Sequence, residues 1–482
     1  MVASKNNATV TSIHLLDANC RITIHQLAFG SMHDLPATIL HLPSNVHREM
    51  SVALVSGLRE AGIHFEGRPY PAAIEPLVLS QAEADQIIQA SVAVHGVLER
   101  VAELYRSNQA VRDFFPRYQN ATRWISVDNG LRPDIFVCRL DGVLIDGQYR
   151  VMETNAACPG GVIQTGMIHR IWHSLVKENL DVDTRAFAAQ PTEEDPRLFV
   201  RRLIDLHRRR TGARPETAAV VMLNGNYRNE VDWISRGLTD LGTDTVVADA
   251  TDLTWSGTGP VTINGARVDL TYNKLDQVEL IGTPEAAGYL DAAAAGAVTF
   301  VNGLLAQCVL EDKSVLALLT DDRFAGLFAS RERKVIDEHI PWTRRVVPGV
   351  TAAPDGTQAG LFEYLSKDRN HLVIKPTDKT RGEGVVIGSE TTPGEWEAAI
   401  AAAASTRGGF VAQTKLPLSQ SWLRRERDGQ AEKMVHGIDT YLFDGQFASF
   451  HVRASLDPVI NIGHRGRLMP VLIEKPGPGT EG

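Results

Sequence analysis

With 482 residues, a formal charge of −9, 43% hydrophobic and 22% charged residues, the chain has the composition of a globular protein and too much length for one core. The acidic balance argues against a general nucleic-acid binder, and no stretch reaches the ~18 apolar residues a membrane span needs. Cys20, Cys138, Cys158 and Cys308 form no CxxC pair, which argues against a disulfide scaffold or structural zinc. Together with an opening MVASKNNATV that lacks an apolar signal segment, this makes a reducing cytoplasm the expected location.

The first hundred residues read as mixed α/β leading into helices. Ser80-Gln-Ala-Glu83 is a capping box, and behind it Ile87, Val94, Leu98, Val101 and Tyr105 repeat at helical spacing, which predicts a long amphipathic helix. Residues 135–140 and 149–155 are rich in strand formers and flank turn dipeptides at Asp141-Gly142 and Asp146-Gly147. The basic run His207-Arg-Arg-Arg210 follows an apolar helical pattern and reads as a solvated helix C-terminus. A second unit opens with the apolar run 218–223. A helix over 231–241, a strand over 245–248, a hairpin at Asn264-Gly265 and a strand over 268–272 then suggest a small doubly wound domain. The third unit carries a helix over 313–319 and strands over 372–375, 385–388 and 410–414. A helix over 394–404 and a hairpin about Asp444-Gly445 complete it. The Pro/Gly-rich residues 475–482 read as a disordered tail.

The segment Leu372-Val-Ile-Lys375-Pro-Thr-Asp-Lys-Thr-Arg-Gly382-Glu-Gly384 places a lysine at the end of an apolar strand, before a loop with two glycines. No GxxxxGK[ST] or GxGxxG is present, so what remains is a strand–loop–strand flap. Its backbone N–H groups could fold over phosphates while Lys375 supplies a point charge. Upstream, Lys313 opens an apolar helix; downstream, Phe410-Val-Ala-Gln413-Thr414-Lys-Leu416 leaves a strand through a polar hinge suited to an adenine. Far upstream, strand periodicity in Val151-Met-Glu153-Thr-Asn155 puts Glu153 and Asn155 on one face, where both can offer oxygen to Mg²⁺.

Two lysines, a glycine flap and a hinge in this order resemble the ATP-grasp superfamily. With the Glu-x-Asn strand placed before both lysines, the resemblance is to its circularly permuted members, such as eukaryotic-type glutathione synthetase. The resemblance implies an α/β (α+β) ATP-grasp fold with a small doubly wound substrate domain and an N-terminal helical region. The division it suggests is residues 1–200 with the metal strand, 201–310 for substrate, 311–474 for nucleotide, and 475–482 as tail. It implies ATP and Mg²⁺ as cofactors, with Lys313, Lys375, Gly382, Gly384, Gln413, Thr414 and Leu416 on the nucleotide. Glu153, Asn155 and a third carboxylate, Asp378 or Glu383, would hold metal, since the family's usual third position is Lys379 here. Arg132 and Arg453 are assigned to substrate carboxylates, and Cys158, Asn229 and Lys274 to substrate contacts, with Arg228 and Asp232 beside them. The implied activity is a carboxylate–amine ligase working through an acyl phosphate, with a flap over 377–384 closing against water. Amino acids or a short peptide are the expected substrates, with no nucleic-acid or membrane partner and homodimerisation left open.

Two other functions fit the same nucleotide residues: a kinase acting on a small hydroxyl substrate, and a nucleotide-binding regulator without turnover. Cys158 also admits a reading as a nucleophile, with His169 or His173 as its base.

Overall fold

The computed structural model describes residues 35–180, 182, 184–225, 228–406, 408–425, 428–463 and 465–476, without the side chains of Arg228 and Asn229. Most of the expected tail, residues 477–482, lies outside the described residues. Among those described, no helix is long and apolar enough to cross a membrane.

Strand β1 (Leu77–Ser80) runs into helix α1 (Gln81–Ser107). The predicted capping box forms: Ser80 Oγ accepts the Glu83 N–H at 3.2 Å, and Glu83 accepts the Ser80 N–H at 2.9 Å. Ile87, Val94, Leu98, Val101 and Tyr105 are all buried, so the stripe read from the sequence is the face this helix packs on the core. Strands β2 (Val137–Ile145) and β3 (Gln148–Asn155) follow as a hairpin. Its turn is Asp146-Gly147, where φ is +48° and +73°, the left-handed pair a tight hairpin requires. Asp141-Gly142 is not a turn, contrary to the sequence expectation; it lies inside β2 at a register shift opposite β3. The reason is contact. A Cβ on Gly142 would fall 2.5 Å from the Tyr149 ring, so glycine here admits a neighbour rather than a bend.

Helix α2 (Leu198–Thr211) ends in the basic run, which is tied into the protein more than a solvated helix end would be. Buried His207 bonds Thr299 Oγ1 at 2.8 Å, and Arg210 donates to the Val298 and Gly296 carbonyls at 2.6 and 2.7 Å. Strand β4 (Thr217–Met222), helix α3 (Arg228–Asp240), strand β5 (Asp244–Asp249), strand β6 (Leu270–Asn273) and strand β7 (Thr299–Val301) build a four-stranded sheet ordered β7-β6-β4-β5, all parallel. The strand expected over 268–272 is split. Val268 closes the small hairpin at Asn264-Gly265, and β6 starts only after Asp269, whose carboxylate accepts the N–H groups of Glu216 and Thr217.

Helix α4 (Ser314–Thr320) is buried over Ser314–Leu319. Strands β8 (Thr343–Arg345), β9 (Leu372–Pro376), β10 (Val386–Ile387) and β11 (Phe410–Thr414) form an antiparallel sheet ordered β8-β11-β9-β10. The last large sheet takes β12 (Ser419–Arg424), β13 (Ala431–His436), β14 (Asp439–Phe443), β15 (Gln446–Ser455) and β16 (Arg467–Met469). β14 also pairs with β2, so strands from either end of the chain share this sheet, and the Glu-x-Asn strand β3 is its edge.

Candidate functional site

The two larger antiparallel sheets and the parallel sheet meet around one cleft of about 1240 Å³. That exceeds the ~300–1,000 Å³ of a usual small-ligand pocket and leaves room for more than one ligand.

One end is built by lysines. On β3 Glu153 and Asn155 face the cleft together, opposite Asp141 and Arg139 in the β2–β3 register. Lys313, at the start of α4, is buried; its Nζ lies 3.1 Å from Glu153 and donates to the Lys379 carbonyl at 2.7 Å. Burial opposes the charge on Lys313, but Glu153, with Glu311 and Asp312 behind it, raises its pKa above the usual value. Lys375, on β9, donates to Gln413 Oε1 at 2.7 Å, and burial pulls it down to about 8. Gln413 lines the cleft, but its side chain is spent on Lys375 and, at 3.1 Å, on Thr343 rather than being turned to the hinge. At the hinge itself the Thr414 N–H donates to the Trp342 carbonyl and the Lys415 N–H to His371, at 2.9 and 2.7 Å, leaving Leu416 on the cleft wall.

The flap lies close over this end. Gly382 has φ of +74°, and a Cβ there would meet Val459 at 2.2 Å; one on Gly384, at φ +70°, would meet Pro376 at 2.8 Å. Asn461 Nδ2 donates to the Arg381 carbonyl at 2.7 Å, and Arg381 pairs with Glu66 at 2.9 Å. Asp378 lines the cleft and is ion-paired with Arg117. Glu383 is not among the lining residues. Among the described residues no group of three or more His, Cys, Asp or Glu is gathered as a metal site. Glu153 and Asn155 still suit Mg²⁺, which takes one or two protein oxygens and completes its shell from phosphates and water.

The other end is built by arginines. Arg453, on β15, reaches Asp439 through Nε at 2.7 Å and Asp141 through Nη2 at 2.6 Å. Arg139 also grips Asp141, at 2.6 Å through Nε. Against the pull of burial, these two guanidiniums hold Asp141 well below the usual carboxylate range, while burial raises Asp439 despite Arg453 beside it. Arg132 is elsewhere. It lies outside the cleft lining and pairs with Asp128 at 2.7 Å on an exposed loop, because the 128–134 segment turns before β2 begins. The arginine that the hairpin does deliver to the cleft is Arg139. Its sequence signal was present: Arg139 and Asp141 are charges spaced by two in an otherwise apolar strand, on the face shared with Glu153 and Asn155.

Between the two ends runs the loop Cys158–Gly161. Lys274 is 1% exposed and braces this loop from behind, donating to the Cys158 and Pro159 carbonyls at 2.8 and 3.1 Å while pairing with Glu230 at 2.8 Å. Glu230 accepts the Gly161 N–H at 2.9 Å and lines the cleft, whereas Asp232 does not. The side chain of Asn229 lies outside the described residues. Cys158 lines the cleft, but burial pushes its thiol up and its sulfur donates to the Leu275 carbonyl at 3.5 Å. His169 is bonded to Gln190 and His173 pairs with Glu193, so neither serves Cys158 as a base.

No protein-family model matches the chain, and no curated protein matches it. Among solved structures it is similar to a protein assigned as gamma-glutamylcysteine synthetase from Methylobacillus flagellatus KT. The TM-score is 0.41 and the identity 12%, over 79% of this chain and 87% of that one. It is also similar to D-cycloserine synthetase DcsG, with a TM-score of 0.30 and 16% identity over 52% and 72% of the two chains. A third similarity is to D-alanyl-alanine synthetase A from Vibrio cholerae, with a TM-score of 0.24 and 11% identity over 47% and 68%.

Proposed function

We propose that this chain is an ATP-dependent carboxylate–amine ligase with a circularly permuted ATP-grasp architecture, its nucleotide-binding part in residues 311–474 and its substrate domain in 201–310. The observation that carries the reading is that Lys375, Glu153 and Asn155 line one cleft under a glycine flap, with buried Lys313 held against Glu153 just behind the lining. Lys313 and Lys375 neutralise phosphate charge, and Glu153 and Asn155 would hold Mg²⁺. When bound, the metal supplies charge neutralisation between phosphates. In the free protein Lys313 is occupied by Glu153 and the Lys379 carbonyl, so phosphate takes the place of the flap carbonyl on its ammonium. The flap over 377–384 excludes water from a reactive acyl phosphate. A substrate carboxylate oxygen attacks the γ-phosphorus and ADP leaves. The amine then attacks the acyl carbon, phosphate leaves with that oxygen, and the nitrogen loses a proton. Arg453 and Arg139 orient the substrates at the far end, and the product is a small peptide or γ-glutamyl-type amide.

The test is isotopic. With carboxylate oxygens labelled by ¹⁸O, amide formation through an acyl phosphate delivers label into released phosphate. Label retained wholly in the organic product would overturn this reading in favour of hydroxyl phosphorylation. ATP bound without any turnover, across a screen of amines and carboxylates, would favour a regulator.

A further inference from the structure

The strand carrying Glu153 and Asn155 ends at Asn155, and the next two peptides leave the sheet ladder before the Cys158–Gly161 loop begins. Backbone groups that leave a ladder in a buried place must find other partners. Here two side chains from distant segments supply them. Glu311 Oε2 accepts both the Ala156 and the Ala157 N–H, at 2.5 and 2.9 Å. Asn302, 0% exposed, donates from Nδ2 to the Ala156 and Ala157 carbonyls at 2.7 and 3.2 Å. The same amide ties this turn to β2: its Oδ1 accepts the Phe136 and Val137 N–H groups at 2.9 Å each, and Nδ2 also donates to the Val137 carbonyl at 2.7 Å. Both the donors and the acceptors of the two alanine peptides are therefore held by side chains.

We propose that Glu311 is a positioning residue. With Asn302 it clamps the Ala156–Ala157 peptides and so sets the separation between Glu153 and Asn155 at the lysine end and the Cys158–Gly161 loop toward the arginine end. The inference rests on the ligase reading for what is positioned, but the clamp itself is a property of this turn. Glu311 lies two residues before Lys313, so one short segment places both the clamp and the ammonium that meets Glu153. That arrangement couples the metal strand to the lysine through a single peptide stretch. A single oxygen of Glu311 accepts both N–H groups, a role that an amide oxygen with its two lone pairs can also fill.

The experiment compares Glu311→Ala with Glu311→Gln in the full chain. Binding of a non-hydrolysable ATP analogue is measured by calorimetry across a Mg²⁺ titration, and hydrogen exchange is followed at the Ala156 and Ala157 amides. Glu311→Ala should raise the Mg²⁺ needed for half-maximal binding by about 10-fold or more, the usual effect of losing a group that orients a metal ligand. Exchange at the two amides should accelerate in that variant. Glu311→Gln keeps an oxygen acceptor and should restore both readouts most of the way to wild type. A glutamine variant as defective as the alanine one would overturn the clamp, because Glu311 would then act through its charge or as a ligand. An alanine variant with wild-type Mg²⁺ requirement and wild-type exchange would overturn it as well. Should the wild type itself bind no Mg²⁺–analogue, the ligase reading falls, and the exchange comparison alone decides the clamp: faster exchange in Glu311→Ala upholds it and unchanged exchange ends it.

Discussion

At one end of the cleft Lys375 meets a neutral partner, the amide oxygen of Gln413; at the other, Arg453 lies between two carboxylates, Asp141 and Asp439. The lysine end keeps a cation whose charge is held against burial, and an arriving phosphate would relieve that cost. The arginine end is neutralised within itself, two guanidiniums against two carboxylates, so its geometry is set before any substrate arrives. The difference teaches that similar cations in one cavity do different work. An unneutralised buried charge is a binding device, while a neutralised one is a positioning device that the fold depends on.

The sharpest test of this contrast is removal of the lysine end. Lys375→Ala and Glu153→Gln should each lower turnover by roughly 10²–10³-fold or more, the scale of losing one preorganised electrostatic contact. Circular dichroism should be unchanged in both; Lys375→Ala should not lower the melting temperature, because the charge it removes is held against burial, whereas Glu153→Gln takes the partner from buried Lys313 and should lower it. Near-normal phosphate release from either variant would remove the lysine end from the site.

Arg453→Ala should behave differently because it strands buried Asp439 and leaves Asp141 to Arg139 alone. Breaking a buried pair in this way typically costs about 3–5 kcal/mol, so a urea titration should show a lowered midpoint together with the activity loss. A variant that loses activity while keeping the wild-type midpoint would mean that the arginine end is no structural network.

The pH dependence separates the ends again. Lys375 has its folded pKa lowered from 10.5 to about 8 by burial. Raising pH above about 8 removes its charge in the free protein, so affinity for an ATP analogue should fall by up to about tenfold per pH unit, and this dependence should be lost in Lys375→Ala. The sign for stability is opposite. The unfolded chain holds this proton up to 10.5, so between about 8 and 10.5 the unfolded state binds more protons and the lysine's contribution to stability rises with pH. Calorimetry and denaturant midpoints at pH 7, 8 and 9 check both signs.

The smallest effect is expected at Arg132. Its pair with Asp128 is exposed, with side chains 48% and 55% accessible, so Arg132→Ala should cost no more than about 1 kcal/mol and leave kcat/KM unchanged. A large loss of kcat/KM would return Arg132 to the substrate and take that role from Arg139.

What the sequence by itself determined is local. The capping box and apolar stripe of α1, the Asp146-Gly147 turn, the apolar parallel strand β4 and the lysine ending β9 follow from side-chain periodicity and backbone sterics within a few residues. The alternation that puts Glu153 and Asn155 on one face is of the same kind. What only the tertiary structure decided is who meets whom. Arg139 outranks Arg132 because a strand direction, not a sequence distance from the metal motif, selects the side chain that reaches the cleft. Asp378 is drawn to Arg117, Gln413 to Lys375, and Glu311 to two alanine amides, contacts between segments far apart in the chain. Gly142 reads as a turn in sequence and is a bulge in the fold, since the pressure that shapes it comes from Tyr149 on the neighbouring strand. Periodicity reports which way a side chain faces within its own element, while charge pairing and close contact depend on packing between elements, which no local pattern encodes.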